Sequence, residues 1–206
     1  MTNYSSGVAT VNQAYLAKNQ NNSYPLNASL ALGMGEQVLI GDTFFNLLGL
    51  DSANGGILVK TSHPDVKVTS RTYNAAGQEG TYGQFIPAQR EDSAVMLDTA
   101  GGLNQLQEND DFRTNIGMVN LGTSPCSVSV QLVAPNGSFI GSLRTLTAGG
   151  RRWIQEDDIF TKAGAGNRDA AYARVEVATL TCQAWAYASV IDQATGDPTT
   201  LPVILP

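Results

Sequence analysis

Phe112-Arg-Thr-Asn-Ile-Gly-Met-Val-Asn120 opens a unit that the first half of the chain repeats without its beginning. Aligning Asn120 with Asn3 carries the match without a gap through Ser127-Val128 on Thr10-Val11 to Leu132 on Tyr15, at an offset of 117. Past the next turn Gly150 falls on Gly35, Asp157 on Asp42 and Gly164 on Gly49, at 115. Ser189 then falls on Ser70 and Gly196 on Gly77, at 119. Offsets that drift by a few residues within turns are what duplicated modules accumulate. Under this alignment only Thr2 and Asn3 answer to the tail of the Phe112–Asn120 strand, so the first module is expected to lack its first strand.

The internal match extends to mechanism. Asp42-Thr-Phe-Phe-Asn-Leu-Leu-Gly49 and Asp157-Asp-Ile-Phe-Thr-Lys-Ala-Gly164 each start on an aspartate fit to cap a helix and carry apolar residues at helical spacing (Phe45 and Leu48; Phe160 and Ala163). Each stops at a glycine suited to the left-handed position after a helix. One short helical turn is therefore expected at the same place in both halves.

Elsewhere the pattern is of strands. Val, Thr, Ser and Tyr dominate runs punctuated by Gly and Pro, with turns such as Asn19–Ser23, Pro135-Asn136-Gly137, Ser62–Asp65 and Thr195–Pro198. Such short strands and frequent turns suit antiparallel sandwiches, and no alternation of strand with long helix points to a parallel sheet. At 206 residues the chain fits two units of about 90 to 100 residues. The expected fold is all-β, with two tandem antiparallel, Ig-like β-sandwich modules related by internal duplication. They span 1–88 and 112–206, and the acidic-ended segment 89–111 reads as a linker whose Val95-Met-Leu97 is apolar enough to dock.

Net charge is −6, and no basic cluster exceeds Arg151-Arg152. Nucleic-acid binding requires a basic footprint to neutralise phosphates, so that class is set aside. No apolar run reaches the roughly 20 residues that cross a bilayer, and Met1–Gly7 lacks the basic and apolar regions of a secretory signal. The two cysteines, Cys126 and Cys182, both fall in the second module. They read either as one disulfide closing about 57 residues and contributing roughly 2–4 kcal/mol, or as two buried thiols.

Reactive constellations are not evident. His63, the sole histidine, precedes a proline in a turn, and no Gly-x-Ser-x-Gly elbow accompanies it. Gly164-Ala-Gly166 ends a helical turn where a phosphate loop would begin one. Glu156-Asp157-Asp158 and the pair Asp192 and Asp197 are weak calcium candidates whose simpler roles are capping and turn formation. No cofactor is implied. Trp185 and Tyr187 alternate with Ala184, Ala186 and Ala188, so the aromatics share one face of a strand and the alanines the other. Together with Trp153 and Tyr82 they are the candidates for stacking on sugars.

Ser70-Arg-Thr-Tyr-Asn74, Gly80-Thr-Tyr-Gly-Gln-Phe-Ile-Pro87, Phe112-Arg-Thr-Asn-Ile-Gly117 and Ala186-Tyr-Ala-Ser-Val-Ile-Asp192 with Thr195-Gly-Asp-Pro198 carry a resemblance covering nearly the whole chain. They resemble tandem β-sandwich modules of large secreted or surface bacterial proteins, which have no agreed catalytic residues. The resemblance implies an extracellular or cell-surface, non-enzymatic, structural or adhesive role. The chain departs from it where a stretch like Phe112-Arg113-Thr114 should open the first module. An incomplete sandwich exposes unpaired backbone that an extended segment can fill. The edge beside Val8, Val11 and Leu16 is the expected acceptor, and the apolar run Leu201–Leu205 is a candidate donor. Partners are then protein, through self-association or neighbouring modules. A carbohydrate-binding module is the alternative, and a protease-inhibitor-like binding domain a weaker one.

Overall fold

Alternating apolar residues form antiparallel strands throughout the computed structural model, which describes residues 1–51, 53–75 and 81–206; the side chains of residues 74, 75, 81 and 82 lie outside that description. The fold is all-β. In the C-terminal half, β8 (Ala100–Glu108), β10 (Cys126–Val133), β11 (Arg144–Ala148) and β13 (Arg168–Val177) form a sheet in the order β11-β10-β13-β8. The strands β9 (Phe112–Asn120), β12 (Trp153–Glu156), β14 (Ala184–Asp192) and β15 (Pro198–Pro202) form a second, in the order β12-β9-β14-β15. A single core cluster draws on both sheets: Val128, Val130, Leu132, Ala173 and Val175 from the first meet Ile116, Met118, Ala184, Ala186 and Ala188 from the second. The alternation of β14 decides this packing, since its alanines are small enough to let the sheets approach while its aromatics turn outward.

Three expectations need correction here. Residues 100–108, assigned to a linker, are strand β8, whose Leu103 and Leu106 are fully buried. Acidic residues and a Gly-Gly pair mask a strand when they sit at its ends, because the local composition then resembles a loop. Val95 does dock, exchanging backbone hydrogen bonds with Ala184 (2.8 and 3.1 Å). The strand expected after Pro135-Asn136-Gly137 begins only at Arg144, with Phe139 making one isolated bridge to Val133. Cys182 lies in the turn preceding β14 rather than within a strand.

The N-terminal half contains β1 (Thr2–Asn3), β2 (Ala9–Ala17), β3 (Asn27–Leu32), β4 (Gly55–Thr61), β5 (Val66–Lys67), β6 (Thr69–Ala75) and β7 (Thr81–Pro87). They pair as β3-β2-β4, β1-β5 and β6-β7. Its core cluster is small: Ala9, Val11, Leu32 and Val66 are buried, with Met1, Leu30, Val38, Val59 and Val68 packed against them.

Two buried asparagines make corresponding bonds in the two halves. The Asn3 side-chain amide donates to the carbonyls of Gly7, Leu32 and Gly33 (2.8, 3.0 and 3.0 Å), and its Oδ1 accepts from Ser5 N (2.9 Å). The Asn120 amide donates to Ser124, Ala148 and Gly149 (2.7, 3.2 and 2.9 Å), and its Oδ1 accepts from Gly122 N (2.9 Å). A short helical turn also occurs in each half, at Thr43–Leu47 and at α1 (Ile159–Ala163), each followed by a glycine at positive φ, Gly49 and Gly164. Asp42 caps the first by accepting from Phe45 N (3.0 Å). The second starts one residue later than expected: Asp158, not Asp157, occupies the cap, in a left-handed conformation and without a side-chain cap bond. Asp157 instead accepts from Gln155 Nε2 (2.7 Å).

Candidate functional site

On the outer face of the second sheet, β14 presents Trp185 and Tyr187 with ring centroids 5.4 Å apart and planes 19° from parallel. β12 lies two strands away across β9 and brings Trp153 and Gln155 to the same face through its period of two. The intervening residue opposite Tyr187 is Gly117. A Cβ there would collide with the Tyr187 ring, so the absence of a side chain is what lets the phenol lie flat across β9 and reach β12. Trp153 Nε1 donates to the Tyr187 hydroxyl (2.9 Å), which donates to Gln155 Oε1 (2.8 Å). Burial of the phenol pushes its pKa well above the ordinary tyrosine value; the Trp153 bond opposes this, and Asp157 adds to it.

Trp153, Trp185 and Tyr187, the stacking candidates, therefore meet on one face, but Tyr187 is only 8% exposed. Lys18 Nζ sits 5.3 Å from the Trp153 ring centroid. The same loop of the N-terminal half seals this edge of the sheet: Asn19 N donates to Trp153 O (3.0 Å) and Asn22 Nδ2 to Arg151 O (2.8 Å). The fourth stacking candidate, Tyr82, has its side chain outside the described residues. Lys18, Gly117 and Gln155 were not singled out from sequence. The alternation of β12 was the available signal for Gln155, whereas Gly117 and Lys18 depend on strand order.

Cys126 and Cys182 form a disulfide, both residues being buried, with Cα atoms 4.9 Å apart. It ties the start of β10 in one sheet to the turn entering β14 in the other.

The carboxylate candidates are each occupied locally. Asp192 Oδ1 accepts from Ala194 N and Thr195 N (both 2.9 Å), and these bonds, led by Thr195, hold its pKa below the usual carboxylate value. Asp197 Oδ1 accepts from Gly83 N (2.9 Å), joining the turn before β15 to β7 of the other half, and Thr200 and Gln84 also hydrogen-bond there. Asp169, Asp192 and Asp197 line one open groove, of about 720 Å³. Glu156, Asp157 and Asp158 line a second, of about 530 Å³, where Glu156 pairs with Arg144 (2.5 Å) and Asp158 with Arg113 (3.7 Å). Among the described residues no group of three or more His, Cys, Asp or Glu is placed to hold a metal ion. His63 lies in the turn before β5, its carbonyl accepting from Thr61 Oγ1 (2.8 Å).

The open backbone lies elsewhere than expected. β2 is paired on both sides at Val11, to β3 and to β4, so the edge beside Val11 is not free; Leu16 pairs with Gly56 of β4, and Val8 precedes the strand. A long alternating strand looks like an edge only until its neighbours on both sides are identified. The Leu201–Leu205 run is also committed: Leu201 pairs with Ala188, Ile204 with Gly102, and Val203 is buried in the core. Among the described residues, β4 has a partner only in β2, and β6 only in β7. Every β6 residue from Thr69 to Tyr73 is exposed. Over the same stretch of the other half, β14 is paired on both sides and mostly buried.

No family model matches the chain. Neither a curated protein nor a solved structure is significantly similar to it. No helix among the described residues is long and apolar enough to cross a membrane.

Proposed function

We propose that the chain is a non-catalytic extracellular structural or adhesive protein of two duplicated, Ig-like β-sandwich modules, and that it joins an assembly by strand addition. The observation that carries this reading is the open edge of β6, exposed from Thr69 to Tyr73, in a position where the C-terminal half has a doubly paired strand. Exposed edges of this kind are templates for another chain, and stable monomers cover them. The corresponding bonds of Asn3 and Asn120 support duplication, because equal spacing alone would not reproduce the same acceptors. The disulfide supports an oxidising, extracellular setting. Amide hydrogen exchange tests the reading: β6 should exchange at least about a hundredfold faster than β14 in the isolated chain. Equal protection of the two strands would refute it.

The second reading, a carbohydrate-binding module, rests on the stacked Trp185–Tyr187 pair facing outward with Trp153 beside it. Both tryptophans belong to this cluster, so a glycan seated on it must shift or quench the intrinsic fluorescence. A flat titration across a glycan panel would remove this reading.

A further inference from the structure

We propose that the groove at the end of β14 away from the disulfide binds a linear aliphatic polyamine, its methylene chain on the apolar floor and its ammonium groups on the carboxylates of the rim. The inference is independent of strand addition and of the aromatic cluster, since the groove lining shares no residue with β6 or with Trp153, Trp185 and Tyr187.

The groove lies where the two sheets end beside a bulge. Ala171 pairs with Leu106 and Ala173 with Leu103, so β8 places two residues, Asn104 and Gln105, opposite Tyr172 alone. Gln105 takes a positive φ of 59° and lines the groove. A bulge bends its strand and re-aims the side chains around it, and bulges are common beside binding sites for that reason. The opening, of about 720 Å³, has the size of a small-molecule pocket. Its floor is apolar, with Leu106 from one sheet and Phe112, Val190 and Leu201 from the other. Leu106 is fully buried, whereas Phe112 and Leu201 keep part of their surface open.

The rim carries one sign of charge. Asp169, Asp192 and Asp197 line the groove, and no Lys, Arg or His among the described residues does. Arg168 and Arg113, next in sequence to Asp169 and Phe112, bond elsewhere. Arg168 Nη1 donates to Asn167 O (2.7 Å), and Arg113 Nη1 donates to Asn115 Oδ1 (3.3 Å) and lies near Asp158. Each aspartate is anchored through one oxygen: Asp169 Oδ1 accepts from Asn109 Nδ2, Asp192 Oδ1 from Ala194 N and Thr195 N, and Asp197 Oδ1 from Gly83 N, all at 2.9 Å. Among the described residues no donor engages the other oxygen of any of the three, and none of them forms an ion pair. The charges are therefore held in place and left unneutralised, and the low-dielectric walls focus their field on an entering cation.

This arrangement selects among cations. No three acids among the described residues are placed to hold a metal ion, so the charge is not gathered for calcium. A matching cation carries its charges apart, with an apolar span between them to cover Phe112 and Leu201. An aliphatic polyamine has that form, as a lysine side chain does when it lays its methylenes on apolar surface and keeps its ammonium group at a polar edge. A monoamine supplies a single charge against three.

The test is calorimetric titration of the intact chain with spermidine, a triamine, against n-butylamine and calcium. The expected result is one-to-one binding of spermidine at least about tenfold tighter than of either comparison cation. Asp169→Asn and Asp197→Asn keep an oxygen for the local hydrogen bond and lose the charge, so each should weaken spermidine binding about threefold and the pair about tenfold. Thr199→Lys puts a cation on the rim from an exposed position and should abolish binding with an unchanged urea midpoint. Glu91→Gln removes the same charge from an exposed turn outside the groove and should leave the affinity as it is. Calcium binding as tightly as spermidine would overturn the proposal in favour of an inorganic cation site. A loss with Glu91→Gln as large as with Asp169→Asn would reduce the binding to diffuse attraction by an acidic chain and overturn it too. An oligolysine peptide binding more tightly than spermidine would make a basic protein segment the occupant, and no binding of spermidine would refute the assignment outright.

Discussion

Replacing Asn120 with alanine should unfold the C-terminal half at much lower denaturant. The side chain is fully buried and makes four hydrogen bonds, three as donor to Ser124, Ala148 and Gly149 and one as acceptor from Gly122. Alanine removes all four and leaves the Ala148 carbonyl in a buried environment without this donor. A net value of roughly 0.5–1.5 kcal/mol per bond, with some loss from imperfect geometry, gives about 3 kcal/mol. With a urea slope of about 1.5 kcal/mol per molar, the midpoint falls by about 2 M. Both tryptophans, Trp153 and Trp185, lie in the C-terminal half, so their fluorescence reports chiefly the unfolding of that half, although Lys18 of the other half packs over Trp153. Asn120→Asp should be no better, because a carboxylate accepts from Gly122 but cannot donate to three carbonyls. Asn3→Ala removes the corresponding bonds in the other half and should leave the tryptophan-detected midpoint within about 0.3 M of the wild type. A loss below about 1 kcal/mol for Asn120→Ala would refute the claim that this amide staples the turns at one end of the two sheets.

Reducing the Cys126–Cys182 bridge should cost the same transition roughly 2–4 kcal/mol, measured by urea unfolding with and without reductant; an unchanged midpoint would contradict the bridge. Gly117→Ala drives a methyl into the Tyr187 ring, so a loss of about 1–3 kcal/mol with altered tryptophan emission is expected. Raising pH tests the buried phenol. The folded-state pKa of Tyr187 lies above its unfolded value, so its contribution is complete below about pH 10 and declines as pH rises beyond that. Tyr187→Phe should flatten that alkaline decline while losing about 1–2 kcal/mol at neutral pH through the Trp153 and Gln155 bonds.

The strands were legible wherever burial imposed a period on the sequence. Ala184 to Ala188 is the clearest case, since a strand buried on one face must alternate, and the alanines do reach the core. β8 was illegible for the opposite reason. Its Gly101-Gly102 start and Glu108 end read as loop, and a side chain at Gly101 would collide with Val203, which follows β15 about a hundred residues later, and crowd Val95, contacts that the local sequence does not announce. The aromatic cluster was half legible: the period of two put Trp185 and Tyr187 together, but Trp153 joined them only through strand order. β2 was read as an edge although β3 and β4 flank it, because an unpaired edge belongs to a sheet and not to any one strand. The roles of Asp157 and Asp158 were exchanged by a single residue, within the uncertainty with which capping patterns locate a helix start.

The two halves differ in a way that bears on how any partner would act. The core of the C-terminal half draws fully buried side chains from all four strands of one sheet and the centre of the other, and it is cross-linked by the disulfide. Among the described residues, the core cluster of the N-terminal half is Ala9, Val11, Leu32 and Val66, and Tyr4, Val8, Leu26, Met34, Leu39, Phe45 and Phe85 are largely exposed. At about 25 cal/mol per Å² of apolar area removed from water, a core of that size contributes little against the backbone entropy of ordering the strands around it. The contacts to the C-terminal half, through Asn22 and Arg151 on one side and Gly83 and Asp197 on the other, then carry a large part of its order. A strand added to β6 would satisfy backbone that β7 leaves unpaired, so its binding and the folding of this half are thermodynamically linked. The linkage has a definite sign: substitutions that weaken the N-terminal core, such as Val11→Ala, should lower affinity for an added strand as well as stability. Substitutions in the C-terminal core should lower stability and leave that affinity unchanged so long as the C-terminal half remains folded.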